Sequence, residues 1–160
     1  MKPSLCTLQV VAANIAAGAS ATAQPLRIAI HEQNKKVGNQ HRGKFRLVLN
    51  DVSVDSGITS INLIGPAAGQ AKTVGGQLQE PVAANDNLTG KKGTLSIAFR
   101  GISIPVNLNL STGNAFHVEF GTWKVAHGTG MYKGWKGSGR WANSGSLTID
   151  NIEWDGSITH

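Results

Sequence analysis

His117 and Glu119 stand two residues apart in the segment Ala115–Val125, where apolar and polar residues alternate. Alternation of period two marks a half-buried strand. It puts His117 and Glu119 on one face and Phe116, Val118 and Phe120 on the other. An imidazole and a carboxylate side by side can exchange protons with a bound molecule. A carboxylate in a partly dry cavity also has a raised pKa, which suits it to act as acid or base. The same pair on an outer wall only faces water, which is the commoner arrangement. The sequence leaves both orientations open. Arg100, between two apolar runs, suits either the anionic group of a ligand or a rim position in water. Trp123, Tyr132, Trp135 and Trp141 offer rings either to an apolar ligand or sugar, or to a core packed on glycines. Glu153 and Asp155 flank Trp154 and fit cross-strand pairing with Lys124 or Arg140 better than catalysis.

Other chemistries find no support in the spacing. The histidines, at 31, 41, 117, 127 and 160, form no His-Glu-x-x-His or similar ligand pattern, so no metal is predicted. Asp51-Val-Ser-Val-Asp55 begins like a calcium loop, but its glycine falls at 57 and its twelfth position is Asn62. The glycine-rich run lacks the Gly-Lys-Ser/Thr ending of a phosphate loop, and there is no Gly-x-Ser-x-Gly. No cofactor is expected.

The elements that position these residues read as strands. The run Gly121–Trp141 holds six of the chain's 20 glycines and three of its 4 tryptophans. Helices tolerate neither that glycine density nor the absence of a 3.6-residue apolar stripe. Leu26–His31 alternates as a first strand, and Glu32–Gly43 is polar and turn-rich. In Lys44–Val54 the apolar phase shifts by one residue, which predicts a bulge near Asn50-Asp51 or a strand buried on both faces. Ile58–Ile64 follows the turn Asp55-Ser-Gly57. Residues 65–92 read as a long loop, with a weak strand near Thr73-Val74 or Leu78. Leu95, Ile97 and Phe99 share one face, and after Arg100-Gly101 the phase flips to Ile102, Ile104 and Val106. Ala115–Val125, Tyr132–Trp141, Ser146–Trp154 and Gly156–His160 complete seven or eight strands. The expected fold is all-β, a single antiparallel up-and-down barrel of about eight strands.

Gly93-Thr-Leu-Ser-Ile-Ala-Phe99 and the run Gly121-Thr-Trp-Lys-Val-Ala-His-Gly-Thr-Gly-Met-Tyr-Lys-Gly-Trp-Lys-Gly-Ser-Gly139 carry a resemblance. Together they resemble the C-terminal half of small bacterial proteins of the allene oxide cyclase-like and dirigent-like barrel superfamily. The resemblance covers residues 90–141 and implies a calycin-shaped, eight-stranded barrel with a central cavity. It implies no particular reaction, because the superfamily holds cyclases, stereochemical guides and uncharacterised proteins. No catalytic residue of either named family maps onto a position of this chain.

Residues 1–23 read as a signal peptide. Lys2 precedes an apolar stretch from Leu5 to Ala19, and Ala21-Thr-Ala23 fits a cleavage site. The mature domain is then 24–160, without Cys6, the single cysteine. A thiol-free exported domain points to a periplasmic or secreted location. No other stretch approaches the ~20 apolar residues of a membrane span. The net charge of +6 is spread along the chain and reads as a solubilising surface. There is no specific nucleic-acid module, and nothing sets an oligomeric state. The functional expectation is an exported small-ligand-binding or structural barrel, the ligand being small and largely apolar. The first alternative is a cofactor-free isomerase or cyclase acting in the lumen through His117 and Glu119. The second is a surface lectin or polyanion binder using exposed tryptophans and lysines.

Overall fold

Nine strands make up the chain between Leu26 and Thr159: β1 (Leu26–Val37), β2 (Gln40–Leu49), β3 (Val52–Leu63), β4 (Lys72–Val74), β5 (Gln77–Gly90), β6 (Gly93–Asn109), β7 (Asn114–Gly128), β8 (Lys136–Ser146) and β9 (Ile149–Thr159). The structure, a computed structural model, describes residues 25–37, 40–64, 70–109, 114–146 and 148–160. The leader-like segment 1–23, its cleavage site and Cys6 lie outside the described residues. All pairings are antiparallel, and each barrel strand lies beside its sequence neighbour. The β3–β5 pairing closes the ring, giving an eight-stranded up-and-down barrel with β4 appended to β5 as a short hairpin. Closure leaves the barrel sheet without free edges.

Alternation assigns one residue set to the lumen. Ile28, Ile30, Phe45, Leu47, Leu88, Leu95, Ile97 and Ile158 are buried at 6% exposure or less. Rings fill the middle of the barrel. Phe99 meets Trp141 and Trp154 edge-on, with centroids 4.8 and 5.1 Å apart, and Trp123 meets Trp154 at 6.5 Å. Such contacts add about 0.5–1.5 kcal/mol each beyond area burial. One end is sealed by a short 3-10 turn, Gly130–Tyr132, before β8. There the buried Tyr132 hydroxyl donates to Asp55 at 2.6 Å, and Trp135 packs edge-on against Tyr132 at 4.9 Å. Gly130 and Gly134 shape this turn with φ of 57° and 83°, a region open to glycine.

The phase flip in β6 is not a break in the strand. Gly101 pairs with Gly121, and both face the lumen. A Cβ on Gly101 would strike the Phe120 carbonyl oxygen and stand 2.9 Å from the Trp141 ring. Below this pair the lumen face of β6 and β7 is apolar. Above it the apolar residues turn outward, so Phe116, Val118 and Phe120 are 52%, 38% and 47% exposed. Ile102 and Ile104 lie opposite Phe120 and Val118 on the same outer face.

Five expectations need correction. Lys44–Val54 is a hairpin whose turn, Asn50-Asp51, has φ of 46° and 67°. The bulge lies further along, where Leu47 pairs with Asp55 but Val48 with Ser53. The expected loop 65–92 contains β4 and the 14-residue barrel strand β5. Its hairpin at Thr73-Val74 and Leu78 agrees with the expectation, but Gln77–Gly90 shows little apolar alternation because Asp86 occupies a lumen position beside Ala84 and Leu88. Within the expected polar turn Glu32–Gly43, Glu32–Val37 belongs to β1 and Gln40–Gly43 to β2, and the polarity has the same origin: Glu32 and Asn34 point inward. Tyr132–Trp141 begins with the 3-10 turn, and Ser146–His160 contains one long strand, β9, where two were expected.

Candidate functional site

The unsealed end of the barrel holds a cavity of about 210 Å³. Its apolar side comes from Ile61, Leu63, Val82, Phe99, Trp141 and Ile152, and its polar side from His41, His117, Glu119, Asn143 and Asp150, with Glu80 at the rim. Strand register explains the polar side. On β7, His117 and Glu119 face inward because Trp123 and Val125 further down the strand do so too. Glu119 pairs with Asn143 of β8, which pairs with Ile152 of β9, one inward step from Asp150. Gly145 is the register partner of both His117 and Asp150. A Cβ there would meet the Asp150 carboxylate and the His117 ring, so glycine makes their approach possible.

Asp150 is the hub. Its side chain is 3% exposed and takes three donors: His41 Nδ1 at 2.6 Å, His117 Nε2 at 3.0 Å and Asn143 Nδ2 at 3.0 Å. Burial works to raise its pKa, but the bonds from His117, His41 and Asn143, with the charge of His41, outweigh it and hold the carboxyl below its ordinary range. The bond to Asp150 raises the His117 pKa, burial opposes this, and the charges of Glu119 and Asp150 add to the rise. Asn143 spends its second N–H on Glu119 Oε2 at 2.9 Å. Glu119 Oε1 stays 4.0 Å from His117 Nε2, beyond hydrogen-bond reach. Asn143 Oδ1 is buried without a partner. The site therefore offers a proton-carrying imidazole next to a carboxylate oxygen with spare capacity, both against an apolar wall.

A second carboxyl cluster lies beside that wall. Glu32 and Asp86, register partners of Ile152 and Ile61, are buried at 4% and 0% exposure. Both claim the single Thr59 hydroxyl hydrogen, at 3.0 and 2.5 Å, and Asn34 Nδ2 donates to Glu32 at 3.0 Å. Burial, then the charge of Asp86, pushes Glu32 well above the usual carboxylate range, and burial raises Asp86 as well. Burial and mutual repulsion thus favour a proton held between the two carboxyls, since adjacent dry carboxylates resist ionising together.

Of the residues singled out in sequence, His117, Glu119 and Trp141 line the cavity. Arg100 is exposed on the outer wall, and only its carbonyl oxygen turns to the interior, accepting from Trp141 Nε1 at 3.2 Å. It therefore does not reach a ligand in the lumen. Trp123 is a core ring, with Nε1 donating to the Arg140 and Asp155 carbonyls. Tyr132 and Trp135 belong to the sealed end. All four tryptophans are at most 9% exposed, which leaves a surface lectin no tryptophan face to stack on. Arg140 does lie opposite Asp155, but the contacts formed are the Arg27–Asp155 ion pair at 3.2 Å and a His31 Nδ1–Glu153 contact. His41, Asn143 and Asp150 were not singled out. Asp150 could have been: it continues the alternation of Ile152 and Trp154 one step further. The imidazole nitrogens facing the cluster are spent on Asp150, and among the described residues no group of His, Cys, Asp and Glu is arranged to hold a metal ion. Comparison of the chain with protein-family models, curated proteins and solved structures yields no match.

Proposed function

We propose that this protein takes up a small, largely apolar molecule in the open end of its barrel, and that it works outside the cytoplasm as an exported binding protein. One observation carries the binding reading: His117 and Glu119 face inward, over a cavity walled by Phe99, Trp141 and aliphatic side chains. A few convergent polar groups in a concave apolar site are what small-molecule recognition requires. The leader-like segment Met1–Ala23 supports export, and the Gly-Thr-Gly-Met-Tyr-Lys-Gly run in a closed barrel supports kinship with the allene oxide cyclase-like and dirigent-like proteins.

The Asp150–His117 bond favours a second reading, a cofactor-free isomerase. Glu119 would take a proton from carbon next to a carbonyl while the His117 imidazolium gives its proton to the carbonyl oxygen. In a substrate with a carbon–carbon double bond beta,gamma to that carbonyl, the resulting dienol collapses as Glu119 returns the proton to the gamma carbon and His117 recovers its own, which moves the double bond into conjugation. No oxidant or second substrate is needed, and the cavity supplies positioning. Native mass spectrometry of protein purified from its source tests the binding reading. A retained small molecule supports it, and empty protein together with unperturbed Trp141 fluorescence across a library of apolar compounds refutes it. For the second reading, solvent deuterium should enter the retained molecule with parent protein and not with Glu119→Gln.

A further inference from the structure

Charge is sorted between the inside and the outside of this barrel. The chain has 15 Lys and Arg against 9 Asp and Glu. Yet Glu32, Asp55, Glu80, Asp86, Glu119 and Asp150 all occupy lumen-facing register positions. Among the described residues no Lys or Arg is buried or lines the cavity. Lys36 has the lumen-facing phase but lies beyond Asn34 at the strand end, exposed. The residues outside the description between strands, 38–39, 65–69, 110–113 and 147, include no charged side chain.

Resting on the reading of the cavity as a small-molecule site, we propose that its ligand is an amine or similar cationic hydrogen-bond donor on a small apolar body, and that the site rejects carboxylates. Three observations support this. Glu119 Oε1 and the buried Asn143 Oδ1 are acceptors without donors in the cavity lining. The lining groups able to carry positive charge, His41 and His117, both direct a nitrogen at the Asp150 carboxylate. Even with both imidazoles protonated, the three carboxylates of Asp150, Glu119 and Glu80 outnumber them and leave the lining net negative, and the nearby Glu32–Asp86 pair adds no positive charge. An ammonium group gains from Glu119 at short range in a partly dry site, where Coulomb energies exceed those in water. A carboxylate there would face Glu119 without an Arg or Lys to offset its desolvation. The orphaned donor among the described residues, Trp154 Nε1, belongs to the ring layer and does not line the cavity.

The test uses three probes on one skeleton: cyclohexylmethylamine, cyclohexylmethanol and cyclohexanecarboxylate. Binding is read at pH 7 by tryptophan fluorescence, with Trp141 in the cavity wall, and by calorimetry. The expected order is amine, alcohol, carboxylate, with the amine tighter than the carboxylate by about tenfold or more. Glu119→Gln should lower amine affinity more than alcohol affinity. Glu80→Gln, at the exposed rim, should do the same to a smaller degree and serves if the first variant misfolds. Alcohol binding with equal or tighter carboxylate binding overturns the charge preference and leaves the cavity reading standing. Failure of all three probes to bind overturns both.

Discussion

Replacing Asp150 by Asn tests the hub without changing its size. The carboxylate accepts from His41, His117 and Asn143. Bonds to a charged partner contribute about 1.5–3 kcal/mol each, and neutral ones about 1 kcal/mol. An asparagine keeps its Oδ1 bonds to His117 and Asn143 at neutral strength. Its amide must face His41 Nδ1, which can accept only after a change of tautomer. The expected loss is about 2–4 kcal/mol. For a domain of this size that lowers Tm by roughly 5–12 °C, measurable by scanning calorimetry. The pH dependence supplies the sharper readout. Because the folded pKa of His117 is raised, its contribution is complete below about 6.5 and fades as pH rises through the folded value. Because that of Asp150 is lowered, its contribution is present above about 3.9 and fades as pH falls through the folded value. The pair stabilises most between those limits, so the difference between parent and variant should peak there. The His117 ring protons, followed by NMR, should titrate at lower pH in the variant. A Tm within about 2 °C of the parent, with His117 titrating unchanged, would refute the hub assignment.

Tyr132→Phe removes the bond to Asp55 at the sealed end and should cost about 1.5–3 kcal/mol in denaturant unfolding, with ligand affinity at the other end unaffected. Glu32→Gln should be more stable than the parent at neutral and alkaline pH, since the raised Glu32 pKa gives stability that is full at acid pH and lost as pH rises through the folded value; equal urea midpoints at pH 5 and pH 8 would count against the proton-sharing pair. Phe99→Ala, in the ring layer, should cost about 3–5 kcal/mol, whereas Phe120→Ala on the outer wall should cost less than about 1 kcal/mol, a contrast visible in paired melts. Gly134→Ala meets no atom within 4 Å, so its cost should be only the positive-φ strain, about 1 kcal/mol.

The barrel is legible in the chain wherever the lumen is apolar. Leu26–His31, Thr94–Phe99 and Ala115–Val125 alternate cleanly, and the inversion after Arg100-Gly101 is visible in the sequence alone. Strands vanish from view where the lumen turns polar. With Asp86 inward on β5 and Glu32 and Asn34 inward on β1, apolar periodicity has nothing to register. The site suffers the same loss. His117 and Glu119 stand out because Phe116, Val118 and Phe120 frame them, but which set faces the lumen depends on pairing with β6 and β8. His41 and Asp150 come from strands distant in the chain, and only the pairing of both strands with β1 makes them neighbours. Tryptophans drew attention as ligand-stacking rings because their size is visible in sequence and their burial is not.

The glycine pair Gly101–Gly121 divides the molecule's tolerance to mutation. Below it, each inward substitution disturbs interlocked rings, and selection there is for folding. Above it, lining side chains outside the ring layer and the Asp150 hub, such as Leu63, Glu80 and Val82, project from strand ends into the cavity, so they can be exchanged at little structural expense. A lineage could therefore redirect such a barrel to new ligands by drift around the open end while inheriting the sealed end intact. That offers a physical route by which similar barrels come to carry dissimilar chemistries.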